Sequence, residues 1–542
     1  MLQKLLLYYN TIKYLRPVQV FGRIYAKIAG KLRIFPLPSM PGKIQTGLSA
    51  KTEWLYHDPW NNREEILKNN FTFLNKKIRM GQSLKWEPGT PFLWTLNLHY
   101  FNFLHLLEKI EQKEICLDWI NKNPVGKTEG WHPFPVSLRI INWIKADLQI
   151  DEINKSIYTQ AAYLYRNLQY YHPNHEYLQN AQALIFAGKY FNGEGESSKW
   201  LNKGIKTFEK HLPEMISEEG GFFEPSVSYN AIVLYALLDI INIIDEEHED
   251  FFTVYVEKLF TFIGSLTQPD GDIALFHDCS IQYAPKTNDL IFYADDLNIP
   301  AYVDKPGSDK MTITNLTGSG YAVIRSEKLY FAMDYGGIRP AHISAHCHPG
   351  AFSYELSVEG MRFVVDSGTG SYENDDIRNF VRKSLAHNTV TIDNLEQAET
   401  LGAFRYGRIF NPFDVNIIEQ GNEILISGKF DGYNKFIGDD LLFSRIVRIN
   451  KNTVEITDEV TGTGEHQIKS IVHFHPDVVI SKDGNSYLLN TGSSRTMLSI
   501  IEGKPELHDS HYYPDFGTNF KNKVMVISQS KIPGKIIYRF DY

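Results

Sequence analysis

From about residue 51 to 305 the apolar positions recur three and four apart; from about 311 to 542 they recur two apart. The first pattern predicts helices over residues 136–150, 156–171, 177–191, 200–212, 228–244 and 251–266. Residues 96–107 are apolar on nearly all sides and are expected to be buried. Helices of this length with short loops predict antiparallel helical hairpins. The second pattern predicts strands over 321–325, 330–333, 441–449 and 469–474, separated by turns such as 482–485. Strands at that spacing without helices between them predict an antiparallel β-sandwich. The boundary is expected near 300–312, where Pro300, Pro306 and Gly307 sit among polar residues. Ahead of both, residues 1–50 read as an arm: one helix with the basic residues Lys13, Arg16, Arg23 and Lys27, then a loop through Pro36, Pro38, Pro41 and Gly42. Such a helix suits either the protein's own surface or a membrane surface.

At 542 residues the chain exceeds one ordinary core, so two or three domains are expected. Its net charge of −9 argues against a nucleic-acid partner but leaves room for a local basic groove and an acidic substrate. Aromatic residues make up 13% of the chain, enough to stack on sugar rings, although an aromatic-rich core gives the same count. No run of about 18 apolar residues occurs, so no membrane span is expected. Cys116, Cys279 and Cys347 form no disulfide framework and fit a reducing compartment. The first ten residues hold a short apolar run, and no small-residue cleavage site follows. The compartment expected is the cytoplasm, with a periplasmic or exported protein as the alternative. A homo-oligomer stays open as a partner.

The chain has no G-x-S-x-G elbow, P-loop, G-x-G-x-x-G turn or C-x-x-C pair, so its chemistry rests on histidine, tyrosine, asparagine and carboxylates. The densest stretch is 345–356. If it is extended, His346 and His348 share a face and Cys347 takes the other. Asp366, at the end of a neighbouring strand, and His387, before a third, can then be brought to them, and two imidazoles with the carboxylate would make a three-ligand zinc site; the alternative is histidines with no metal. Three further stretches stand out. Residues 171–180 place Asn174, His175 and Glu176 before an apolar helix, where Asn174 could simply be its cap. Residues 218–230 run from a glycine loop into a helix with Tyr229 in its first turn, where a core aromatic is the common case. Residues 276–280 form a polar patch that also reads as a turn.

Taken in order, these motifs resemble the heparinase II/III-like polysaccharide lyases and the related alginate lyases. The stretch from Trp131 through Arg139 to Trp143 is similar to that family's N-terminal signature. Asn174-His175 matches its Asn-His pair, Glu224 to Tyr229 its Glu-x-Ser-x-x-Tyr element, and His346-Cys347-His348 its His-x-His strand. Asp366 matches its Asp-x-Gly strand end, Ala386 to Thr389 its Ala-His-Asn-Thr box, and Asp431-Gly432-Tyr433 a further strand motif. The ordered set covers roughly residues 90–450. Position 350 is Gly where the family often has Asp, which removes a carboxylate that would orient a ligand imidazole.

The resemblance implies an (α/α) toroid over 51–305 and an antiparallel β-sandwich over 311–542, with the active site in the groove between them. It implies a lyase cleaving a 4-linked uronate-containing polysaccharide by β-elimination. Asn174 and a histidine would neutralise the uronate carboxylate, and Tyr229 would be the acid. The base would be Tyr229 in syn elimination, or His175 or His346 in anti elimination. His348, Asp366 and His387 would hold one Zn2+. Trp131, Arg139, Glu224, Tyr372 and Arg378 are the expected substrate contacts. Two other readings stand beside it: a glycoside hydrolase using Glu224 and Asp278, and a non-catalytic polysaccharide-binding or assembly protein.

Overall fold

The computed structural model describes residues 2–32, 37–42, 45–192, 195–301 and 310–542. Helices dominate up to Asp296 and strands from Thr312 onward. Pro306 and Gly307, part of the expected boundary, and Pro36 in the arm lie outside the described residues.

The helical half is built as two concentric layers. Pro133–Ala146, His175–Tyr190 and Val227–Ile241 are buried almost all round; His175–Tyr190 buries 14 of its 16 residues. The helices that alternate with them are amphipathic: Glu196–Met215 buries 8 of 20, three and four apart. A helix apolar on every side belongs inside and a striped one outside, so each hairpin contributes one inner and one outer helix to an α/α toroid. The layers meet closely where side chains are missing. A Cβ on Gly188 or Gly204 would stand 2.6 Å from Leu201 Cβ or Ile185 Cγ1 respectively. A buried Lys145–Asp239 ion pair, with oxygens 2.7 and 2.8 Å from Nζ, ties two inner helices together. The buried stretch 96–107 is not one helix. Phe92–Tyr100 ends at Phe101, whose φ of 63° starts a short 3-10 turn over Asn102–Leu106.

In the second half every named strand pair is antiparallel. An eight-stranded sheet forms one layer of the sandwich; a five-stranded meander from Thr312 to Val364 lies in the other, where the Val364–Phe474 bridge joins it to a four-stranded sheet. The strands Tyr321–Arg325 and Leu329–Asp334 are buried on both faces. Alternate residues explain this. Tyr321, Val323, Tyr330 and Ala332 join the toroid core, while Ala322, Ile324, Phe331 and Met333 join the sandwich core. This sheet is therefore the seam between the halves, and it reads as a continuous apolar run because neither face meets water.

The arm departs from the expected single helix. Helix α1 (Leu2–Ile12) and helix α2 (Pro17–Leu32) are separate. Pro17 disfavours helix at Arg16 and is preorganised as the first residue of the next one. The arm lies across the seam: Gln19 Nε2 donates to His342 O of the β-half at 3.0 Å, and Gly22 packs on Tyr171 of the toroid.

Candidate active site

A groove of about 590 Å³ opens along the seam. Asn174, His175 and Tyr229 line it from the toroid, and His346 and Tyr372 from the β-half. All four expected catalytic side chains therefore share one cavity.

Asn174 is the cap of the His175–Tyr190 helix, its Oδ1 accepting from Tyr177 N at 3.3 Å. With Oδ1 engaged by the helix, the amide has its Nδ2 donor to offer the groove. His175 donates its backbone N–H to Glu224 Oε2 at 3.0 Å and holds the same oxygen with Nδ1 at 2.9 Å. Burial opposes a charged imidazolium there, but the Glu224 carboxylate outweighs it, so the pKa of His175 is raised. Burial likewise works against the Glu224 charge, yet His175, through charge and hydrogen bond, holds its carboxyl down at about 2. The His175 ring stacks on Tyr229 at 4.2 Å.

Tyr229 is not an isolated core aromatic. Its hydroxyl lies 2.6 Å from Tyr372 OH, which lies 3.2 Å from His346 Nδ1. Burial, reinforced by the neighbouring phenol of Tyr372, pushes the Tyr229 hydroxyl well above the usual phenol range.

Asp278 is the hub beneath the β-side wall. Its Oδ2 lies 2.9 Å from His346 Nδ1 and its Oδ1 2.8 Å from His348 Nε2. The Arg378 guanidinium grips both carboxylate oxygens, with Nη2 at 2.9 Å from Oδ2. Burial would raise the Asp278 pKa, but Arg378 and then His348 hold it well below the usual range. His346 and His348 sit in a loop just before the strand Ser353–Val358, not on a strand as expected. They nevertheless reach the same carboxylate, while Cys347 packs the other way with Ile338, Ala398 and Tyr406.

Asp366 and His387 are paired, Oδ2 to Nδ1 at 2.8 Å, and the His348 and His387 rings are 5.3 Å apart. Among the described residues no group of three or more His, Cys, Asp or Glu side chains is set as a cation cage. Two ring nitrogens there are nonetheless buried without a hydrogen-bond partner: His348 Nδ1 and His387 Nε2. Burial, with His387 and Arg378 nearby and only partly offset by Asp278, lowers the His348 pKa to about 3 and keeps that ring neutral. Two imidazoles with unused nitrogens beside a carboxylate fit zinc's donor chemistry. Gly350 has a steric reason: a Cβ there would stand 3.0 Å from His387 Cγ.

Four expected substrate contacts need correction. Trp131 is buried, with Nε1 donating to Asn123 O at 3.0 Å. Arg139 is fully buried, stacked 3.7 Å from Trp119 and bonded to Gln160 at 2.8 Å. Trp131 and Arg139 are thus core of the toroid, while Phe134 of the same stretch lines the groove. Glu224 and Arg378 are also fully buried; they hold His175 and Asp278 respectively and do not line the groove. Tyr372 does line it. Sequence reasoning missed Asp278 as the organiser, although the polar 276–280 patch pointed to it. It also missed Arg23, His172, Phe404 and Arg405 on the groove wall, which come from three separate segments with no shared motif.

Residues 114–291 match the family described as heparinase II/III N-terminus, and residues 311–540 the family described as heparinase II/III-like, C-terminal. A heparin-sulfate lyase of Pedobacter heparinus is 24% identical over 321 residues, 51% of this chain and 47% of that protein. A heparin-sulfate lyase of Bacteroides stercoris is 23% identical over 353 residues, 54% of this chain and 51% of that protein. The chain spans about half the length of the curated relatives it matches. A solved structure of heparinase III superposes with a TM-score of 0.67 at 16% identity, covering 96% of this chain and 90% of that one. The heparan sulfate lyase structure from Pedobacter heparinus gives 0.56 at 17% identity, with 96% and 87% covered. At these identities the structural likeness is one of fold.

Proposed function

The chain belongs to the heparinase II/III-like family, and from that premise we propose that it is a polysaccharide lyase cleaving a 4-linked, uronate-containing polysaccharide by β-elimination. The observation that carries this reading is the convergence of Asn174, His175, Tyr229 and His346 on one groove. The proton on C5 of a uronate is a very weak acid until the adjacent carboxylate is neutralised. His175, pushed toward imidazolium by Glu224, and the Asn174 amide are the donors for that carboxylate. Each donor of this kind is worth about 2.7–4 kcal/mol where charge develops.

His346 is the base on this reading. Its Nδ1 is turned toward the ionised Asp278, which favours the tautomer that leaves Nε2 as acceptor. Nε2 takes the C5 proton, electrons move into a C4–C5 double bond, and the C4–O bond breaks. Tyr229, protonated at neutral pH because burial raises its pKa, gives its proton to the leaving oxygen. The Tyr229–Tyr372–His346 chain then returns the proton from base to acid. Arg23 and Arg405 on the groove wall suit further acidic groups of the polymer.

We also propose one zinc ion at His348, Asp366 and His387, supported by the two unpartnered nitrogens. When bound, zinc supplies a fixed positive charge and a cross-link bracing the β-side wall.

The hydrolase reading is disfavoured because Glu224 and Asp278 are both buried, ionised and ion-paired away from the groove, so neither can serve as a general acid. The test is a panel of uronate polymers followed by ultraviolet absorbance. The conjugated double bond should accumulate with at least one of them, and wild-type protein that turns over none would favour a binding or assembly role.

A further inference from the structure

Helices α1 and α2 are amphipathic the wrong way round for a surface in water. Their polar residues Thr11 and Gln19 are buried against the protein, at 7% and 1% exposed. Thr11, Leu15, Gln19 and Arg23 line the mouth of the groove. Their outward faces are apolar: Tyr9 is 67% exposed, Phe21 70%, Ile24 51%, Tyr25 65% and Ile28 52%. Ten large apolar side chains between Leu5 and Ile28 are each more than two-fifths exposed, a concentration found nowhere else among the described residues. A helix pair packed for water would turn these inward, and a contiguous exposed apolar face marks an interaction surface.

Charge identifies the partner. The first 52 residues carry nine Lys or Arg and no Asp or Glu, so in a chain of net charge −9 the remainder stands at −18. Lys13 and Arg16 are exposed in the turn between the two helices, and Lys27 on the second. Apolar and aromatic residues interspersed with bases, and no acids, match a bilayer interface with anionic headgroups. Neither helix is long and apolar enough to cross a membrane. Two copies meeting through this face would bring like charges together, which disfavours a symmetric dimer.

We infer that α1 and α2 form an interfacial anchor that lays this chain on an anionic bilayer, with the groove mouth beside the headgroups. The same arm forms part of the groove wall, so a docked enzyme would meet polymer presented at the membrane surface. The inference stands on the arm alone and does not depend on elimination chemistry.

The full chain is sedimented with phosphatidylcholine vesicles and with vesicles that also contain phosphatidylglycerol, while light scattering follows its oligomeric state. Binding should require phosphatidylglycerol and weaken with salt. Replacing Lys13→Gln and Lys27→Gln should weaken it about fivefold for each base removed. Phe21→Ser with Tyr25→Ser should abolish it at unchanged Tm, since both side chains are exposed; if that variant misfolds, the lysine pair and the salt dependence still decide. No binding to the anionic vesicles, binding indifferent to lipid charge and to the lysine substitutions, or self-association through this face without vesicle binding would each overturn the inference.

Discussion

Two buried histidines, each against a carboxylate, end in opposite states. His175 lies 2.9 Å from Glu224 and is pushed toward imidazolium; His348 lies 2.8 Å from Asp278 and is pushed down to about 3. Burial opposes charge on both rings. The difference lies in what else each carboxylate serves. Glu224 pairs with His175 and, at 3.6 Å, with His346, and among the described residues no arginine or lysine is ion-paired with it. Asp278 is already answered by Arg378, and His348 also has His387 beside it. One pair favours a proton on its ring, which suits the proposed acidic substrate; the other leaves a ring nitrogen without a partner, which suits the proposed metal. A buried histidine's state is thus set by the other partners of its carboxylate.

The largest effect should come from Tyr229→Phe, which removes the proposed acid, the hydroxyl of the ring stacked on His175, and keeps that ring. The kcat should fall about 10²–10⁴ with KM little changed. The loss of stability should be only about 0.5–1.5 kcal/mol, measured by denaturant titration.

Next, Glu224→Gln should make His175 behave like His348. Turnover should fall about 10²–10³ as the imidazolium donor is lost. The pH profile should move as well. The folded pKa of His175 is raised above 6.5, so its imidazolium and the stability it lends are fully present below about 6.5 and lost as pH rises through the raised value. Wild type should therefore show an alkaline limb that the variant shifts to lower pH. On the acid side, Glu224 drops from 4.5 to about 2, so its contribution holds above 4.5 and is lost as pH falls toward 2.

A smaller effect separates the metal from the proton. His348→Ala should lose zinc by elemental analysis while Glu224→Gln retains it. Zinc at a hundredfold excess over Kd should stabilise wild type by about 2.7 kcal/mol, and that increment should vanish in the alanine variant. Smallest of all, Arg405→Ala on the groove wall should raise KM about two- to fivefold at unchanged kcat, the range of an exposed charge contact.

The sequence made the four groove residues and the helix-to-strand change legible because both rest on local pattern. Asn174 could be read as a cap and as a donor, and its two amide atoms allow both. Glu224 and Arg378 were misassigned because a charged residue in a motif looks the same whether it meets substrate or holds a neighbour. Only burial separates the two cases. Asp278 was hard to see because its partners lie 68, 70 and 100 residues away across the seam. The arm's second helix was hard to see because the division rests on one residue, Pro17, which closes the first helix and opens the next.

The most direct measurement of elimination is digestion of a cleaved uronate polymer in water enriched in heavy oxygen, with mass spectrometry of the new ends. The proposed chemistry breaks the C4–O bond without water, so neither end should carry the label and the products should together weigh what the parent did. One heavy oxygen per cut would mean hydrolysis and would contradict the account.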